Sequence, residues 1–172
     1  MTVVCLTGAP GSGKTTVGQA IAARAIAGVH IQVDFFRKMV RAGYASPHHW
    51  DGEVERQYDL ARRAAAATAI IYAGAGFTVV VDDIIPLEVV PAWRALLAGE
   101  DVRFALLDPP VEVALQRNER RTVWTVDPAL LRDLHRSLGR ARGHPDWTAI
   151  DNADVPAEAV ADRIVAALDS RG

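Results

Sequence analysis

TVVCLTGAPGSGKT, residues 2–15, decides how the rest of the chain reads. An apolar, β-branched run, TVVCLT, stops at Gly8. GAPGSGKT follows, and Lys14 opens a stretch with helical character. Gly8 to Thr15 fill every fixed position of G-x-x-x-x-G-K-[ST], between a strand and a helix, the context that separates a phosphate-binding loop from a chance match. Gly8, Gly11 and Gly13 let a loop that also holds Ala9, Pro10 and Ser12 turn its successive N–H groups inward at phosphate oxygens. The following helix adds its positive end. Lys14 is the expected partner of the β- and γ-phosphates and the Thr15 hydroxyl an expected Mg²⁺ ligand. Thr16 completes the nucleotide-binding set. It stands where the dinucleotide fingerprint G-x-G-x-x-G would need its third glycine, so that motif fails.

Outward from the loop, strand-like runs alternate with longer helical stretches. The strands are expected at 2–7, 30–33, 77–81, 102–107 and 147–150, and the helices at 14–27, 35–42, 53–74, 86–98, 110–121, 127–142 and 156–169. The strands lack polar alternation, so both sheet faces should be covered, which predicts an α/β protein with a parallel sheet and right-handed crossovers. Residues 1–172 read as a single domain, without repeats or linkers. Ligands in such folds gather at the carboxyl ends of the strands, where Asp34, Asp82, Asp83, Asp108 and Asp151 all fall.

The formal net charge of −2 gives no electrostatic footprint for nucleic acid or an anionic membrane. Positive charge is almost wholly arginine, Lys14 and Lys38 being the two lysines. Cys5 reads as a buried strand residue. No basic region followed by an apolar run opens the chain, which fits a cytoplasmic protein. Residues 64–81, AAAATAIIYAGAGFTVVV, carry no charge and reach the length of a membrane span. The glycines at 74 and 76 and the β-branched FTVVV make a helix end, a turn and a buried strand the better reading.

No N-K-x-D segment occurs, and D-x-x-G appears as DSRG at 169–172, where the last helical stretch ends rather than at a strand end, which argues against a GTPase; the chain is also short for a motor or transporter ATPase. Small-molecule kinases remain. GAPGSGKT, VDFFR after the second strand, VVVDD after the third, RNERR after the fourth and a late IDNADVP together span nearly the full chain. In these features it resembles the P-loop phosphotransferases of the nucleoside-monophosphate-kinase-like group. It is most similar to the chloramphenicol phosphotransferase-like branch, with shikimate and gluconate kinases more distant. The resemblance implies a three-layer P-loop NTPase fold, a five-stranded parallel sheet in the order 2-3-1-4-5, ATP with Mg²⁺, and an arginine-bearing lid at about 117–126.

In the resembling kinases an aspartate after strand two faces the acceptor hydroxyl, and Asp34 matches it. A carboxylate near the γ-phosphate accepts the acceptor's proton and orients its oxygen. The bland alternative is that Asp34 caps the helix FFRKMVRA. Phe35 and Phe36 would wall the acceptor pocket, and Arg37 is a further candidate there. Asp82 and Asp83 end an apolar strand, as an acid serving Mg²⁺ should; Asp82 is taken as the metal residue and Asp83 as the acceptor residue, although residue order leaves their assignment open. Arg117, Arg120 and Arg121 fall at i, i+3 and i+4. As a lid they would bring Arg117 to the nucleotide base and Arg121 to the transferring phosphoryl, and Asn152 is a further nucleotide-binding candidate. Arg132, Arg136 and Arg140 form a second row, which suits a solvated face. RAGYASPHHWDGE, 41–53, holds His48, His49 and Trp50, and His49 and Trp50 are candidates for acceptor recognition. His30 reads as structural.

The expected partners are ATP and a small hydroxylated acceptor, without nucleic acid or membrane, and a homo-oligomer is compatible with the reading. A nucleoside or nucleotide kinase is the first alternative, favoured if Arg37, Lys38 and Arg41 point into the acceptor site. An ATP-binding regulator without transfer chemistry is the second.

Overall fold

The computed structural model describes residues 2–47, 50–122, 125–145 and 147–169. The strands are β1 Thr2–Gly8, β2 Gly28–Gln32, β3 Thr78–Asp82, β4 Asp101–Leu107 and β5 Trp147–Ile150. They form one parallel sheet in the order β2-β3-β1-β4-β5. The helices are α1 Lys14–Ala22, α2 Val33–Lys38, α3 Gly52–Gly74, α4 Val90–Leu96, α5 Val111–Glu119, α6 Pro128–Leu138 and α7 Ala157–Asp169.

The absence of polar alternation in the strands is explained by a core on each face. Val3 and Cys5 of β1, with Val79, Val81, Phe104 and Leu106, pack against α3 and α4. Val4 and Leu6, with Val80, Ala105 and Leu107, pack against α1 and α7. Neighbouring strand residues point to opposite faces, so a strand buried on both must be apolar at every position. The α3 side chains that meet the sheet, Ala61, Ala65, Ala69 and Ala73, are small and four residues apart, so one face of the helix lies close to the strands. Asp51 starts α3 by accepting from the N–H groups of Glu53 (3.0 Å) and Val54 (2.9 Å). The uncharged stretch 64–81 is the end of α3, a turn and β3, and among the described residues no helix is long and apolar enough to cross a membrane.

Among the helix ends that differ from expectation, two bear on the site. α1 stops at Ala22, because the chain must turn before β2. A Cβ on Gly28 would lie 1.9 Å from the Ala22 carbonyl oxygen, so the return is tight. α2 begins at Val33 with Gln32 at its N-cap, which puts Asp34 in the first helical turn. The capping alternative for Asp34 is thereby corrected: its carboxylate adds charge beside the helix's positive end without closing it.

Candidate active site

The loop between β1 and α1 is shaped by close approaches that side chains would block. A Cβ on Gly11 would lie 2.2 Å from the Ala114 carbonyl oxygen of α5, and its φ of 83° suits glycine. Gly13 holds the N-cap of α1 without a side-chain cap, and the first turn carries no acidic residue. The helix therefore offers its free N–H groups and its dipole to an external anion. The buried Ser12 hydroxyl and Asn152 Oδ1 have no hydrogen-bond partner among the described residues. Asn152 Nδ2 donates to the Ser12 carbonyl (2.8 Å), tying the β5–α7 loop to the phosphate-binding loop. An uncapped helix start beside orphaned polar atoms is chemistry that a nucleotide phosphate fits.

Lys14 is half-buried, and its ammonium donates to the carbonyls of Gly8 (2.7 Å) and Ala9 (3.3 Å). Burial lowers its pKa below the ordinary lysine value, and Arg121 adds to the lowering. Asp82, Asp34 and Asp83 oppose it, which brings these three carboxylates and Arg121 within electrostatic range of one ammonium. Asp34 itself is exposed, with no hydrogen-bond partner among the described residues.

The two aspartates at the end of β3 separate cleanly. Asp82 pairs with Leu6 of β1 and Gln32 of β2. Its Oδ2 lies 3.4 Å from Thr15 Oγ1 and 2.8 Å from His30 Nε2. Thr15 and Asp82 thus form an oxygen pair of the kind a hard divalent cation takes, with phosphate and water filling the remaining positions. Asp83 turns to the other face. It accepts from Arg62 Nε (2.7 Å) and Trp93 Nε1 (3.3 Å). Burial raises its pKa, while the Arg62 guanidinium pulls it back down.

His30 closes the other side of Asp82. A Cβ on Gly18 would lie 2.6 Å from His30 Nε2, so the ring occupies the space that the missing side chain leaves. Helix propensity alone would make Gly18→Ala stabilising by about 1 kcal/mol, and overpacking works against it by about 1–3 kcal/mol. The expected net result is a small loss in the wild type that becomes a gain in a His30→Ala background. Thermal melts of the four proteins read this cycle, and an equal effect in both backgrounds would show that the ring does not fill that space.

The acceptor side is built by α2, α3 and the chain between them. Phe35, Tyr44 and Trp50 are exposed, and Trp50 stacks on Tyr58 of α3 with ring centroids 5.4 Å apart. Trp50 therefore does not pack against the sheet. Arg37 is buried. It donates to the Ala45 carbonyl (2.8 Å), and its guanidinium lies 3.9 Å from the Tyr58 ring centroid and 5.1 Å from that of Tyr44. Gln57 fixes the same chain, accepting from Ala45 N–H (3.0 Å) and donating to the Gly43 carbonyl (2.7 Å). His48 and His49 lie outside the described residues.

Tyr58, Arg62 and Gln57 are absent from the sequence reading. The spacing of Tyr58 and Arg62, one turn apart on α3, was the available signal. The Arg62–Asp83 pair is well buried, with side-chain exposures of 19% and 4%. Arg62→Ala strands a buried carboxylate and should cost about 3–5 kcal/mol. Adding Asp83→Asn should recover much of that loss. Urea unfolding of both variants would measure it, and a double variant no more stable than Arg62→Ala would refute the pairing argument.

Arg117, on α5, donates to the carbonyls of Asn152 (3.0 Å) and Ala153 (2.7 Å), so α5 and the β5–α7 loop meet beside the phosphate-binding loop. α5 ends at Glu119, with Arg120 at its C-cap. Arg121 therefore lies beyond the helix, and the three arginines do not share one continuous helical face.

Parallel β-strands, a phosphate-binding loop at the central strand and two acids at the neighbouring strand's end define a P-loop kinase fold. The chain matches the chloramphenicol phosphotransferase-like protein family over residues 1–167, and it belongs to that family. No curated protein sequence matches it. Among solved structures it is similar to a sugar kinase from Janibacter sp., with a TM-score of 0.69 and 22% identity over 98% of this chain and 94% of that one. A gluconokinase from Sinorhizobium meliloti 1021 gives 0.66 and 20%, covering 99% and 97%. Shikimate kinase from Acinetobacter baumannii in complex with shikimate gives 0.64 and 23%, covering 98% and 93%. These likenesses establish the fold.

Proposed function

We propose that the protein transfers the γ-phosphoryl group of ATP to a hydroxyl of a small molecule. The observation that carries this is the exposed, unpartnered carboxylate of Asp34, within electrostatic range of Lys14 on the acceptor side of the phosphate-binding loop. In this reading Gly8–Thr16 hold the ATP phosphates, with Arg117 and Asn152 beside the base. Lys14 and Arg121 face the charge that spreads over the transferring group. Asp34 takes the acceptor's proton and aims its oxygen. Thr15 and Asp82 hold Mg²⁺, which neutralises phosphate charge when bound. Phe35, Trp50 and Tyr58 line the acceptor pocket, with Asp83 kept in place by Arg62. His49 completes the proposed acceptor set from outside the described residues, and 117–126 closes as a lid that excludes water.

Membership of the chloramphenicol phosphotransferase-like family supports a hydroxyl acceptor. Arg37 argues against the nucleotide-kinase alternative. It is buried between two tyrosines and donates to a backbone carbonyl, so little of its guanidinium is open to an acceptor phosphate, although its buried Nε has no hydrogen-bond partner among the described residues. The testing experiment is a panel of hydroxylated antibiotics, sugars and other metabolites with labelled ATP and Mg²⁺, run in parallel with Lys14→Ala. Label transfer to one acceptor, lost in the variant, is expected. No transfer to any compound, alongside tight ATP binding, would instead support an ATP-binding regulator.

A further inference from the structure

The arginine row of α6 and the turn after it is exposed, as the solvated-face reading expects, but it borders a recess. A cavity of about 470 Å³ opens beside it, lined by Val111, Arg132, His135, Arg136, Arg140 and Arg142. Val111 begins α5, while Arg142 follows the turn after α6, so the start of α5 and the stretch from α6 to Arg142 converge on one concavity. None of Lys14, Asp34, Asp82 or Arg117 lines it.

The charge balance inside is uneven. Arg142 forms a two-pronged ion pair with Asp108, one arm of it 2.7 Å long, and Arg136 pairs with Asp133 at 2.8 Å. Arg132 and Arg140 have no ion-pair partner among the described residues. Four guanidinium groups therefore face two carboxylates, an excess of two positive charges in a chain whose net charge is −2. Like charges gathered in a recess repel unless an anion joins them, and a guanidinium fork matches the oxygens of phosphate. The walls are also held from behind. His135 Nε2 lies 2.8 Å from the Pro109 carbonyl and 3.5 Å from Asp108 Oδ1, and the Asp108 N–H donates to the Ile150 carbonyl (2.9 Å). The cavity thus sits just past the carboxyl ends of β4 and β5, the edge of an open α/β sheet where ligands gather.

We infer that this cavity is a second anion site, separate from the phosphate-binding loop, and that it takes a doubly charged phosphoryl group. The group arrives either as free phosphate or as the phosphoryl end of a small phosphoester. Arg132 and Arg140 supply the uncommitted charge, and Arg142 and Arg136 shape the rim.

The test separates the two sites through the Lys14→Ala protein, in which the phosphate-binding loop is impaired. Calorimetry at low ionic strength, where exposed charges are least screened, would titrate it with inorganic phosphate in one arm and glycerol 3-phosphate in the other. Saturable binding is expected in at least one arm, and the arm that binds identifies the source. Adding Arg132→Ser and Arg140→Ser should weaken that binding at least roughly tenfold, the scale of one charge-assisted hydrogen bond, with an unchanged melting temperature. Each single substitution should weaken it less. Absence of saturable binding in both arms overturns the site, as does binding that survives both arginine substitutions. Neither result bears on ATP turnover in the otherwise wild-type chain, so the phosphotransferase reading stands or falls separately.

Discussion

Lys14→Ala is expected to reduce phosphoryl transfer by at least roughly 10³-fold, the upper range for removing one oriented donor at a developing charge, while the protein stays folded. The lysine ammonium rests on the Gly8 and Ala9 carbonyls at the start of α1. It is half-buried, so the fold loses two hydrogen bonds when it goes. That loss is partly offset, because burial disfavours this charge, as its lowered pKa indicates. Site chemistry has no such offset. Lys14 is the cation on which Asp34, Asp82 and Asp83 all act, and without it those acids face incoming phosphate oxygens with less opposition. Arginine should not rescue the variant, since a planar fork cannot replace a compact ammonium in a loop this tight. Calorimetry with ATP·Mg²⁺, a thermal melt and a transfer assay together measure the outcome. Wild-type transfer by the alanine variant would end the kinase reading.

The phosphate-binding loop and the five strands were legible because their signals are local. Fixed glycines, a lysine and a hydroxyl at set spacing mark the loop, and β-branched runs without polar alternation mark strands covered on both faces. The strand order came from the family resemblance, since periodicity carries no information about neighbours. Asp82 and Asp83 illustrate the limit. Consecutive residues at a strand end turn to opposite faces, so one reaches Thr15 and His30 and the other Arg62 and Trp93. Which does which depends on the register with β1 and β2, and residue order does not contain it. Arg37 shows the same limit in a different form. Its helical position suits a surface cation, but the chain at 43–45, tied down by Gln57, covers it and leaves it between two tyrosines. His30 looked structural, and its contact with Asp82 required β2 and β3 to be adjacent.

Asp34→Asn is expected to lower transfer by roughly 10²- to 10⁴-fold, the usual worth of a positioned acid or base, with ATP affinity nearly intact. The argument rests on what Asp34 does not do. It does not cap α2, since Gln32 holds that place, and its carboxylate has no hydrogen-bond partner among the described residues. The fold therefore has little to lose. The removed charge beside the helix's positive end is worth about 0.3–1 kcal/mol, and asparagine preserves the side chain's size. Transfer chemistry, by contrast, needs a group that accepts a proton and aims an oxygen, and asparagine supplies only the shape. A contact from Asp34 to Mg²⁺ through water would leave a different signature, with a raised Mg²⁺ requirement accompanying the lost rate. Steady-state kinetics across Mg²⁺ concentrations, with the acceptor found by the panel, separate the two. Loss of ATP hydrolysis alone decides nothing, because water is a poor substitute for a positioned hydroxyl. Turnover near that of the wild type with the true acceptor would remove Asp34 from the chemistry, and proton acceptance would then have to pass to another acid near Lys14, with Asp82 and Asp83 the two that act on it.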